Sequence, residues 1–93
     1  MSYRRKFARQ AYNVYRELRI SLGHQGTLPV DVDLLVGNIV QDASKESPER
    51  ANSRKEGNPC EILTYDFFGY VLECSVNREE KYVKITEIDK PSI

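Results

Sequence analysis

The sequence predicts an α+β fold, with two N-terminal helices packed on one face of a small antiparallel sheet in the order β-α-α-β-β-β. Three observations lead there. The run from Glu61 to Asp89, EILTYDFFGYVLECSVNREEKYVKITEID, reads as three consecutive strands joined by short polar or glycine-containing turns. Apolar residues between Arg9 and Leu22, and again between Val32 and Val40, recur at steps of three and four, as amphipathic helices require. The chain has 93 residues and a mass of 10.8 kDa. That suits one domain over residues 1–93, which should bury roughly 65% of the surface exposed by the unfolded chain.

The opening residues admit two readings. Tyr3, Arg5 and Phe7 alternate with Arg4, Lys6 and Ala8, a strand pattern of period 2. A helix from Ser2 to Leu22 competes with it, since Tyr3 and Phe7 fall near the later apolar stripe; strand followed by helix is preferred. The first helix then buries Ala11, Val14, Tyr15, Leu18 and Leu22, and Gly23 is expected to end it. After the loop GHQGTLP a second helix should begin near Pro29, a residue suited to the first helical turn, with Asp31 and Asp33 close to the positive end of its dipole. Val32, Leu35, Val36, Ile39 and Val40 form its apolar stripe. Gly37 weakens that helix by about 1 kcal/mol relative to alanine, and close packing against the first helix would explain its presence.

Residues 43–59, ASKESPERANSRKEGNP, contain almost no apolar side chain and two prolines. An exposed, mobile connection is expected there, inside the domain and not between domains. In the strands that follow, Asp66 to Gly69 and Asn77-Arg78-Glu79-Glu80 supply the reversals. Tyr70, Leu72 and Cys74 share one face of the middle strand. In the last strand Val83, Ile85 and Glu87 are set against Tyr82, Lys84, Thr86 and Ile88. Tyr65, Tyr70 and Tyr82 are expected in the core or at its rim, in preference to a base-stacking role.

Composition bounds the class further. The chain is 40% hydrophobic and 30% charged, and no apolar stretch approaches the roughly 20 residues of a membrane-spanning helix. SYRRKFARQAY has no apolar segment after its basic residues, which argues against a secretory leader and for a cytoplasmic location. Cys60 and Cys74 are too few and too far apart for a disulfide framework or a zinc site. No glycine-rich phosphate loop, dinucleotide fingerprint or metal-ligand cluster appears, so neither cofactor nor metal is expected. His24 sits in a glycine-flanked loop and forms no recognisable nucleophile pair with either cysteine.

Net charge is zero, yet the charges are unevenly spread. Arg4, Arg5, Lys6, Arg9, Arg16 and Arg19 face Glu17 alone in the first 25 residues, a balance of +5, and residues 26–50 carry −3. A basic patch of that size can hold phosphates, which makes those six residues nucleic-acid-binding candidates; the alternative is a solvated helix face paired with the acidic middle.

The opening SYRRKFARQAYNVYREL, the loop SPERANSRKEGNP and the closing YVLECSVNREEKYVKITEI, in this order of elements, resemble the RelE/ParE family of toxin–antitoxin proteins. The resemblance implies a RelE/ParE-like fold and a toxin-like component of a toxin–antitoxin system. It also implies an antitoxin partner and either messenger RNA in the ribosome or gyrase as target. RNA cleavage of the RelE kind needs a group to activate the 2′-hydroxyl, cations for the pentavalent phosphate and an acid for the leaving oxygen. RelE-type members usually supply arginines around the first hairpin and a basic or aromatic group near the C-terminus. Here that hairpin, ILTYDFFGYVL, has no arginine or lysine, and the tail is DKPSI. Tyr65, Arg78, Lys81, Tyr82, Lys84 and Lys90 are the groups from which a divergent endoribonuclease site could be built, with surface charge as their ordinary role. Two function classes follow: an RNA-directed toxin-like effector, and a non-catalytic protein-interaction module with the same fold.

Overall fold

The computed structural model describes residues 3–57 and 59–90. Ser2 and the last three residues, Pro91 to Ile93, on which parts of the expectations above fell, lie outside them. The chain forms strand β1 (Arg4–Phe7), helices α1 (Arg9–His24) and α2 (Pro29–Ala43), and strands β2 (Ser53–Lys55), β3 (Cys60–Phe67), β4 (Tyr70–Asn77) and β5 (Tyr82–Asp89). The strands make one five-stranded sheet in the order β1-β5-β4-β3-β2. The preferred reading of the opening segment holds, and the α+β class with two helices is as expected. No helix among the described residues is long and apolar enough to cross a membrane.

The strand count and the sheet type differ from expectation. β2 lies inside the polar stretch 43–59 and pairs with β3, and β1 runs parallel to β5, so the sheet is mixed and the order is β-α-α-β-β-β-β. β1 has no turn tying it to β5. Its direction is set instead by docking, with Arg4 and Ala8 N–H donating to the carbonyls of Lys81 and Ile85 at 2.9 Å each. Among the described residues, no strand pairs with the β5 edge beyond Ile85. The Gln10 side-chain amide takes that place, donating to Ile88 O at 3.2 Å and accepting from Ile88 N at 3.4 Å.

Both helices cover one face of the sheet. Ala11 and Leu18 of α1 and Val32, Val36, Ile39 and Ala43 of α2 are buried against Leu63, Tyr65, Phe67, Leu72, Cys74, Val76, Val83, Ile85 and Ile88. Ile88 belongs to this face although strict alternation from Val83 assigns it to the other. A β-bulge explains the change, because Glu73 pairs with Glu87 while the adjacent Cys74 pairs with Ile85, leaving Thr86 as the extra residue. Thr86 Oγ1 donates to Glu73 O at 3.2 Å, which fixes the bulge. The inserted residue returns Ile88 to the core and sends Glu87 outward.

Turn geometry corrects two glycine readings. α1 continues through Gly23 and ends one residue after it; Gly26, at φ 95°, is the left-handed residue past its end. Thr27 N–H bonds to Leu22 O at 2.9 Å and Gly26 N–H to Gly23 O at 3.1 Å, the paired bonds of a Schellman cap. Gly37 is exposed, and a Cβ there would meet nothing within 4 Å, so it provides no close helix contact. The β3–β4 reversal falls on Phe68 and Gly69, with φ 53° and 83° as a type I′ turn demands. In the β4–β5 connection Asn77 Oδ1 accepts Glu80 N–H at 2.9 Å.

Part of the stretch 43–59 is hydrogen-bonded to the rest of the fold. The buried Asp42 carboxylate accepts the backbone N–H groups of Glu49 and Arg50, both at 3.1 Å, and Asn52 N–H bonds to Thr64 O at 2.7 Å to start β2.

Gly37→Ala should raise unfolding free energy by roughly 1 kcal/mol, because a free helix surface gains propensity. Gly26→Ala should lower it by about 1 kcal/mol through its left-handed backbone. Urea denaturation of both variants checks the signs; equal effects would refute the capping assignment.

Candidate nucleic-acid interface

The helices leave the other sheet face uncovered, and the pleat decides which side chains stand there. Pairing places Lys55, Ile62, Ser75, Lys84 and Lys6 in one row across the sheet from β2 to β1. Cys60, Asn77, Tyr82 and Arg4 form the next row on one side. On the other side follow Ser53, Thr64, Glu73 and Glu87, and then Asp66, Val71 and Asp89. Adjacent rows are about 7 Å apart, two residues at roughly 3.4 Å each.

Charge on this face is sorted by sign. Arg4, Lys6, Lys55 and Lys84 occupy one half and Asp66, Glu73, Glu87 and Asp89 the other. Among the described residues none of the eight is in an ion pair; the four recorded pairs lie elsewhere. Lys6 and Lys84 are directly opposite each other, as are Glu73 and Glu87, arrangements that cost stability in a sheet without a countercharge. The Lys6 ammonium also lies 4.3 Å from the centroid of the Tyr82 ring. The basic half therefore offers exposed ammonium and guanidinium groups around one half-buried aromatic ring.

Only part of the sequence-derived basic set stands here. Arg4 and Lys6 do. Arg5 lies on the other side of β1 with its guanidinium 6.0 Å from the Phe7 ring centroid, and Arg9 is exposed at the start of α1. Arg16 approaches Tyr12, and Arg19 approaches Tyr15 while binding Asp33 through Nη2 at 3.1 Å; the Tyr15 hydroxyl donates to the same carboxylate. Those two arginines clasp α1 and its aromatic residues, and Arg19 joins α1 to α2. Lys55 escaped the sequence reading because three residues of strand are too short to show a period, and its polar surroundings suggested a loop.

The groups considered for catalysis are likewise divided. Tyr82, expected in the core or at its rim, instead stands with Lys84 on the uncovered face because its place in the pleat points it away from the helices; Lys81 lies in the preceding turn at φ 58° with its ammonium 5.8 Å from the Tyr3 ring centroid, and Lys90 follows β5. Arg78 is held by Glu61 on the helix side, Nε to Oε1 at 2.7 Å, while Arg54 Nε meets Oε2 at 2.6 Å. Hydrogen bonds from Arg54 and Arg78 keep the Glu61 carboxyl below its usual pKa. Tyr65 is in the core, its hydroxyl donating to Asp42 Oδ2 at 2.7 Å. Burial, and then the hydrogen bond to Asp42, raise its pKa, so it remains a donor and cannot serve as a base. Burial likewise pushes the Cys74 thiol up to about 12, which removes it as a nucleophile.

Asp42 is the buried counterpart of this exposed face. A cavity of about 140 Å³ opens beside it, with Leu35, Ile39, Arg50 and Asn52 in its walls. The carboxylate is already committed to Tyr65 and the two loop amides. Its role is structural: it holds β2, and with β2 Lys55, at the edge of the sheet.

Comparison with family models, with curated proteins and with solved structures finds no match for this chain.

Burial alone would raise the Asp42 pKa, but the Tyr65 hydroxyl, the Glu49 and Arg50 amides and the Lys45 charge bring it below its ordinary value. A depressed native pKa contributes stability that is complete above the unfolded value, near 3.8, and is lost as pH falls through the native one. Asp42→Asn should cost about 1–3 kcal/mol at neutral pH and flatten the stability profile below that value. Urea midpoints across the acid range test this, and an unchanged profile would show that Asp42 does not anchor the loop.

Proposed function

We propose that this protein is a cytoplasmic, RelE/ParE-like toxin component that engages RNA through the basic half of its uncovered sheet face. One observation carries the reading: Arg4, Lys6 and Lys84 project beside Tyr82 on one surface, Lys55 continues the Lys84 row at the far edge, and among the described residues none of the four is in an ion pair. Phosphates bound there release counterions from the nucleic acid, and the phenol ring offers a stacking platform for a base. The acidic half repels a phosphate chain, so the bound strand runs across the sheet and not along it. Tyr82 and Lys84 are the two proposed catalytic groups at this surface. The Lys84 ammonium would stabilise charge on a pentavalent phosphate, and the Tyr82 hydroxyl would handle a proton.

A second reading, the non-catalytic protein-interaction module, is favoured by Ile20, Leu28, Val30 and Leu34, apolar side chains that the helical hairpin leaves 60–65% exposed. An antitoxin or other protein chain would suit such side chains.

Induced expression in bacteria should arrest growth. Lys6→Glu with Lys84→Glu should relieve the arrest, whereas Arg16→Glu on α1 should not. With purified protein, log affinity for a single-stranded RNA should fall against log salt by about 0.7 per phosphate neutralised, and Lys84→Ala should reduce that slope by about one such step. Normal growth at high expression, with a stoichiometric protein partner whose affinity changes little with salt, would overturn the RNA reading in favour of the second.

A further inference from the structure

The carboxylate half of the uncovered face has no part in holding RNA, and its pattern needs a separate explanation. Glu73 and Glu87 are directly opposite one another with no cation paired to either among the described residues. The same holds for Lys6 and Lys84 two residues further along the sheet. A partner that relieves both pairs must itself be bipolar, positive at one end and negative at the other. RNA meets half of that requirement.

We propose that a second copy of this chain is that partner, and that two copies stack through their uncovered sheet faces about a twofold axis lying across the strands. Such an axis, passing between the Lys84 row and the Glu87 row, reverses strand direction in the second copy and leaves each strand over its own equivalent. Lys84 of one copy then lies over Glu87 of the other, and the Tyr82–Arg4 row over the Asp89 row. Both contacts occur twice, because an interface on a twofold axis repeats every residue pair. Net charge is zero, so no overall repulsion opposes the approach.

The size of the face sets the strength. Five strands at about 4.8 Å and four rows at about 7 Å give at most roughly 24 by 28 Å per copy, or about 1,300 Å² in total, at the low end for a specific interface. With charges dominating and few apolar residues, among them Ile62 and Val71, the dimer should be weak and salt-sensitive. It also covers the surface assigned above to RNA, so self-association and RNA binding exclude each other. The dimer does not rest on the RNA reading.

Sedimentation velocity without RNA tests it. The wild-type chain should sediment as a dimer at high concentration and low salt, and as a monomer at about 0.5 M salt, where the Debye length is roughly 4 Å. Lys6→Glu with Lys84→Glu should be monomeric, as should Glu73→Lys with Glu87→Lys; an equimolar mixture of the two double variants should regain the dimer. Far-UV circular dichroism and melting of each double variant establish that it folds. A wild-type monomer at low salt, a dimer indifferent to salt, or folded variants that fail to complement would each overturn the proposal. The wild-type salt series decides it even where a variant does not fold.

Discussion

Every second side chain of β3, β4 and β5 must point either at the two helices or at water, and that alternation governs both the core and the charged surface. With α1 and α2 on one side only, the same pleat that gathers Leu63, Phe67, Leu72, Val76 and Ile85 beneath the helices turns Glu73, Lys84 and Tyr82 outward. Core and interface are thus two readings of one register. A slip of one residue in β5 would exchange them.

The bulge at Thr86 is where this constraint is most visible. Without it Ile88 would face solvent and Glu87 would enter the core; with it the apolar face continues to the end of the strand and the two carboxylates of Glu73 and Glu87 come together outside. Gln10 then closes the exposed edge of β5 with a side-chain amide in place of a strand. At the opposite edge, Asp42 gathers the loop after α2 so that β2 can pair with β3. Local hydrogen bonds, each modest, set how far the charged face extends in either direction.

Much of this was legible in the sequence, and what was not has identifiable causes. Periodicity located both helices, their buried stripes and the three long strands, because each depends on side chains lying close together along the chain. The preferred strand reading of residues 4–7 also held. The extra strand and the bulge depend on pairing between distant segments, which no local pattern reports. The helix stop passed from Gly23 to Gly26 because both are glycines in a polar loop and only backbone geometry separates them. Of the basic residues, Arg4 and Lys6 share a face with Lys84 and Lys55, while Arg16 and Arg19 attend to Tyr12, Tyr15 and Asp33. Proximity in sequence had grouped residues that a strand and a helix send in different directions. Tyr65 and Arg78 look like candidate site groups in the sequence, but their partners Asp42 and Glu61 make them structural.

The sign-sorted uncovered face is the feature on which the functional reading stands. The most direct test is a two-dimensional amide NMR titration of the monomeric protein at moderate salt with a short single-stranded RNA. Shifts concentrated at Arg4, Lys6, Lys55, Tyr82 and Lys84, with the carboxylate half little affected, are the expected result. Shifts confined to Arg9, Arg16 and Arg19 on α1, with the uncovered face unchanged, would contradict it.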